Sequence, residues 1–114
     1  MELTERMDGP VRIVTATGRI DQASANGFQQ QLQPWLDACK QATAPLLLDF
    51  AGVDYISSVG LRVLMLAAKQ VKGQQGKIAI AALTPVVEEV FQISRFNLVF
   101  KVYPDCASAI VDLS

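Results

Sequence analysis

Histidine is absent from this chain of 114 residues. Its absence removes a Ser-His-Asp triad and a histidine general base. With only two cysteines present, it also removes nearly every zinc site. Cys39 and Cys106 stand far apart without C-x-x-C spacing, so free thiols are expected, as is usual in a reducing compartment. There is no basic run either. The ten Lys and Arg are scattered among eleven Asp and Glu for a net charge of −1, which argues against a duplex or an anionic membrane as a direct partner. "GQQGK" at 73–77 holds Gly and Lys but lacks the GxxxxGK[ST] frame of a phosphate loop, and it reads as a turn. The longest apolar stretch, "VLMLAA" at 63–68, is far short of the ~20 residues of a membrane span. The opening "MELTERMDGP" mixes charge of both signs and has no apolar core, unlike a secretory signal. A cytoplasmic protein is expected.

What is present is the material of one globular domain over 1–114. The chain is 51% hydrophobic and 18% charged, and its length suffices for a single core. "VRIVTATG" at 11–18 is rich in β-branched residues and bounded by turn signals, so it reads as a strand. "MELTERM" before "DGP" is expected to pair with it as an antiparallel edge strand. In "QASANGFQQQLQPWLDACKQA", Phe28, Leu32, Trp35, Leu36 and Cys39 recur at helical steps, with Asp21 as cap or near-cap. "APLLLDFAG" at 44–52 is the continuous apolar run of a strand buried on both faces. A helix follows in which Leu61, Leu64, Met65 and Ala68 make the core face, closed by "GQQG". "KIAIAAL" at 77–83 is a further strand. Thr84-Pro85 opens a helix through "TPVVEEVFQIS", "LVFKVYP" is the last strand, and Asp105 caps a final helix. The order β-β-α-β-α-β-α-β-α predicts an α/β fold: a mostly parallel central sheet, an N-terminal antiparallel hairpin and about four helices.

Between the second long strand and its helix lies "VDYISSVGLRVL". A serine at a helix start supplies an oxygen to the unpaired first-turn N–H groups, and losing such a cap costs ~0.5–2 kcal/mol. One serine suffices for that, and no capping box is present because Gly60 and Leu61 occupy the positions of its Glu or Gln. The pair Ser57 and Ser58 falls at the C-terminal edge of the parallel sheet, where α/β folds place their sites. Gly60 in the first turn costs about 1 kcal/mol against Ala, which predicts close approach of another backbone. Val59, Val63 and Leu66 lie off the main apolar face, which fits either a helix buried on two sides or an exposed apolar strip beside the serines.

The block "LLLDFAGVDYISSVGLRVLMLAAK", with "GRID" upstream, resembles the STAS domain, specifically the bacterial anti-sigma factor antagonist branch. The resemblance extends over essentially the whole chain. It implies a serine phosphorylated by a partner kinase, and counting back from the Gly-Leu pair makes that residue Ser58. Many members have Asp before the phosphorylated serine. This chain has Ser57 there, which leaves Ser57 as the alternative acceptor. Asp21 matches an acidic position of the kinase-facing site, and Ser57, Ser58, Val59, Gly60, Leu61 and Arg62 are the expected partner-binding residues. The implied mechanism is partner switching. The unmodified chain binds an anti-sigma factor that is also a serine kinase of the histidine-kinase-like ATPase fold, and so releases the sigma factor. Phosphorylation breaks that complex, and a PP2C-type phosphatase restores it. The chain itself is then not an enzyme and holds no cofactor or metal; ATP and magnesium belong to the kinase. The alternative is a non-switching STAS module docked on a transporter ATPase or scaffold complex. A serine hydrolase is disfavoured, since Lys69 lies roughly 16 Å along the helix from Ser58.

Overall fold

The computed structural model describes residues 1–114. Its five-stranded sheet has the order β1-β2-β3-β4-β5. β1 (Glu2–Asp8) runs antiparallel to β2 (Val11–Ile20). β3 (Leu46–Ile56), β4 (Ile78–Ala81) and β5 (Lys101–Tyr103) continue the sheet in parallel. Four helices alternate with the strands: α1 (Ala25–Ala38), α2 (Ser58–Gly73), α3 (Pro85–Ile93) and α4 (Cys106–Leu113). This is the α/β architecture the pattern predicts, with the hairpin at its N-terminus.

The two faces of the sheet are covered unequally. Strand side chains alternate between faces, so Leu46, Leu48 and Phe50 of β3 enter one core with Phe28 and Leu32 of α1, Leu64 of α2 and Phe91 of α3. Leu47 points the other way, into a small cluster with Val11, Ile13, Ala79, Ala81 and Ala109 of α4. Alanines on β4 and α4 let that helix lie close to the sheet. The large core holds 23 buried residues and the small one 6, so most of the apolar stabilisation comes from the α1-α2-α3 side.

Several elements depart from their expected bounds, and for three of them the contacts show why. β3 does not end near 52 but runs to Ile56, because it still has a partner: pairing with β4 stops at Asp49, while pairing with β2 continues to Ile20 opposite Ile56. α1 begins at Ala25 and ends at Ala38, shorter than its apolar spacing predicts. The amide of Gln74 donates to the carbonyls of Leu36 and Cys39, both at 2.8 Å, and so completes the helix end from outside. The stretch 98–104 is not one strand. Arg95 adopts a left-handed backbone (φ 58°), and a 3₁₀ turn over Phe96–Leu98 follows. It buries Phe96 against Phe91 and Phe100, which leaves only Lys101–Tyr103 to pair. Thr84 and Pro85 open α3 as expected, but the Thr84 hydroxyl donates to the Val53 carbonyl at 2.8 Å instead of capping.

Candidate functional site

β2 and β3 leave the sheet side by side, with Ile20 opposite Ile56. The next residue on each strand is therefore Asp21 or Ser57, and the Ser57 N–H donates to the Ile20 carbonyl at 2.8 Å. That bond ties the start of α2 to the end of β2. Gly60 tightens the junction: a Cβ there would stand 2.6 Å from Ile20 Cγ2, 2.8 Å from Ile56 Cγ1 and 3.2 Å from the Ile20 carbonyl oxygen. The close approach predicted from a glycine in the first turn is present, and it is made to β2.

The two serines have separate tasks. Ser57 is the N-cap: its extended backbone (ψ 172°) turns the chain, and its Oγ accepts from the Gly60 N–H at 3.3 Å. Ser58 is the first residue of the helix and exposed, and its hydroxyl has no hydrogen-bond partner in the protein. Around it, the N–H groups of the first turn are among those that a helix leaves without internal acceptors, and the helix dipole adds partial positive charge.

Asp21 is half-buried in the turn between β2 and α1, and it does not cap α1 itself; Ser24 stands at that cap position. The two residues instead bond reciprocally. The Ser24 N–H donates to Asp21 Oδ1 at 3.0 Å and the Asp21 N–H donates to Ser24 Oγ at 3.0 Å, while the Ser24 hydroxyl reaches the Arg19 carbonyl at 2.6 Å. These bonds from Ser24, with a smaller contribution from Arg19, hold the Asp21 carboxyl below its ordinary value, so it is a fixed anion at neutral pH. Arg19 Nε lies 3.8 Å from Asp21 Oδ2, and its guanidinium covers the Tyr55 ring at 4.6 Å. Sequence reasoning missed Arg19, Ser24 and Tyr55. The D-x-x-S spacing from Asp21 to Ser24, which has the spacing of a capping box, is the signal that points to Ser24.

The face of α2 that carries Ser58 also carries Arg62 one turn on, exposed and in no ion pair. Val59, Met65 and Leu66 flank it, 38 to 48% exposed. Two expectations about this helix change. Val63 is buried and leaves the apolar strip, while Met65, placed on the core face by spacing, is exposed and joins it. The inward face of α2 is made by Gly60, Leu61, Val63, Leu64, Ala67 and Val71. Of the expected partner-binding residues, Gly60 and Leu61 are buried under α2. The site unites a fixed carboxylate, a free hydroxyl, a cation and an apolar border. It contains no histidine, and no group of three or more His, Cys, Asp or Glu capable of holding a metal ion occurs in the chain.

Comparison with known proteins gives this edge a context. The STAS domain profile matches residues 3–109. The chain belongs to the STAS family. Over 103 residues it is 38% identical to BtrV of Bordetella bronchiseptica, provisionally described as an anti-sigma factor antagonist; the match covers 90% of this chain and 85% of that protein. Among solved structures, an anti-sigma factor antagonist from Mycobacterium paratuberculosis superposes with a TM-score of 0.86 at 20% identity, covering 98% of this chain and 92% of that one. The Bacillus cell fate determinant SpoIIAA in its phosphorylated form gives 0.70 at 13% identity, covering 99% and 100%. This STAS protein thus shares its fold with anti-sigma factor antagonists and its sequence with one of them, in the branch that the "YISSVGLRVL" block indicates. No helix is long and apolar enough to cross a membrane.

Proposed function

We propose that this STAS protein is an anti-sigma factor antagonist that works by partner switching, with Ser58 as its phosphorylated residue. The observation that carries the reading is the division of labour at the α2 N-terminus. Ser57 is committed to the cap, whereas Ser58, the next residue, is exposed and unbonded, and Asp21 stands at the matching end of the neighbouring strand. In this reading the exposed face of α2, with Asp21, docks the catalytic cleft of an anti-sigma factor that is also a serine kinase. ATP and magnesium are bound by that partner, and the γ-phosphate passes to the Ser58 hydroxyl. A PP2C-type phosphatase removes it.

The energetics are local. A phosphate adds roughly −1.5 to −2 charges. In the free domain the helix N-terminus favours those charges, and Arg62, at i+4 on the same face, offers a counter-charge. Pressed against a partner, the group would lose its water and would meet the carboxylate of Asp21. A penalty of ~3–4 kcal/mol weakens binding several-hundredfold, so the switch needs no refolding of this domain.

The test starts from capture of the anti-sigma factor on the unmodified protein, followed by incubation with ATP. Phosphate is expected on Ser58 by mass spectrometry of the 53–62 peptide. Ser58→Ala is expected to stay bound in the presence of ATP, and Ser58→Asp to bind at least about a hundredfold more weakly. Equal binding of the two variants, or phosphate on Ser57, would overturn the assignment.

A further inference from the structure

The chain has five lysines, scattered in sequence, and the fold gathers four of them around one cavity. Lys69, Lys72, Lys77 and Lys101 line a hollow of about 790 Å³, within the range of small-molecule sites. It lies between the C-terminal half of α2, the starts of β4 and β5, the 3₁₀ turn and the end of α4. This is the N-terminal edge of the parallel strands, at the opposite end of the sheet from Ser58. Its apolar wall includes Val71, Ile78, Leu98 and Val99. Leu98 and Val99 are exposed, Leu98 by 78%.

The positive charge in this hollow is in excess, four lysines against one carboxylate. The single carboxylate of the lining, Asp112, is already taken: Lys101 Nζ lies 2.9 Å from its Oδ2, and the Tyr103 hydroxyl donates to the same oxygen. Lys69, Lys72 and Lys77 form no ion pair within 4.0 Å. A lysine in the last turn of a helix is accounted for by the dipole, but that explains Lys72 alone. A neutral apolar ligand would leave three ammonium groups without a counter-ion, and a small inorganic anion would leave the apolar wall wet.

We propose that this cavity binds a single-headed anionic amphiphile, an alkyl chain ending in a carboxylate or phosphate. The tail lies on Ile78, Leu98 and Val99, and the head meets Lys69, Lys72 and Lys77. The site is independent of the state of Ser58, which stands at the other end of α2.

The experiment titrates the isotopically labelled full chain with decanoate and with decyl phosphate, each below its micellar concentration, and follows amide shifts by NMR. Decanol, acetate and inorganic phosphate serve as half-ligands. Saturable shifts confined to residues 68–78, 98–103 and 112–113 are expected with an amphiphile, and the stronger of the two identifies the head group. Each half-ligand is expected to bind at least about tenfold more weakly, the equivalent of ~1.4 kcal/mol. Exposed Lys72→Glu and Lys77→Glu, combined, should abolish saturation while leaving the remaining spectrum folded, and Lys72→Met with Lys77→Met should weaken it. Ser58→Ala should bind the probe as the parent does. The proposal fails if neither amphiphile gives saturable shifts there. It fails equally if decanol or inorganic phosphate binds as tightly as the amphiphile, or if the charge-reversed chain, shown folded, still binds.

Discussion

Removing the Ser57 hydroxyl leaves the Gly60 N–H without its acceptor, whereas removing the Ser58 hydroxyl breaks no bond within the protein. Loss of a cap costs ~0.5–2 kcal/mol, and the 3.3 Å length of this one places Ser57→Ala in the lower half of that range. Its melting temperature is expected to fall by about 4 °C. Ser58→Ala is an exposed change away from any hydrogen bond, and its stability should stay within about 0.5 kcal/mol of the parent. Calorimetry of the two single variants separates them, and a larger loss in Ser58→Ala than in Ser57→Ala would reverse the assignment of the cap. The two adjacent residues thus differ in what they do for stability: Ser57 carries the cap, and Ser58 is free of any bond within the protein. The sequence alone could place a serine at the helix start, but it could not say which of two neighbours turned its oxygen inward. That choice depends on where β3 ends, and β3 runs four residues beyond its apolar run, to Ile56.

At the scale of elements, the seating of α2 on the sheet is decided by one missing side chain. Gly60→Ala would gain about 1 kcal/mol of helix propensity. Its Cβ, however, would press on Ile20 Cγ2 and Ile56 Cγ1 at 2.6 and 2.8 Å, with the Ile20 carbonyl oxygen at 3.2 Å behind them. Overpacking of this kind costs ~1–3 kcal/mol, so urea denaturation is expected to show a net loss of up to ~2 kcal/mol. An unchanged or raised midpoint would mean that the isoleucines move aside. The order of elements was legible from the sequence because each carries its own local signal: β-branched residues between turns for β2, a continuous apolar run for β3, and apolar steps of three and four for α1 and α2. The ends of elements were less so, since they are fixed by partners distant in the chain. Gln74 closes α1 across 35 residues or more, β2 extends β3, and the Phe91-Phe96-Phe100 cluster takes the start of the expected last strand into a turn. The exposure of Met65 and burial of Val63 have the same origin. Spacing defines a face of about the right width, and the neighbouring elements decide its angle.

For the whole molecule, the lack of histidine becomes a statement about pH. No side chain has an ordinary pKa between about 5.5 and 7.5 in its absence, so the melting temperature should be nearly flat across that interval. On the acid side the sign is set by four carboxylates. Asp21 and Asp105 are lowered by bonds from Ser24 and Ser108, Asp37 by Gln33 and Gln70, and Asp112 by Lys101 and Tyr103. A carboxylate with a lowered folded value stabilises the fold above its unfolded value, near 3.8, and that contribution is lost as the pH falls through the folded value. Stability should therefore decline from about pH 5 downward. A melting temperature that rises on acidification would contradict these bonds. The outer strands of the sheet carry a last consequence. β1 presents Glu2, Glu5, Arg6 and Asp8 along an exposed border, and β5 offers only three residues before the chain turns away. Charged or very short borders are poor templates for a second copy. These borders let many copies of the chain crowd together without zipping into fibres.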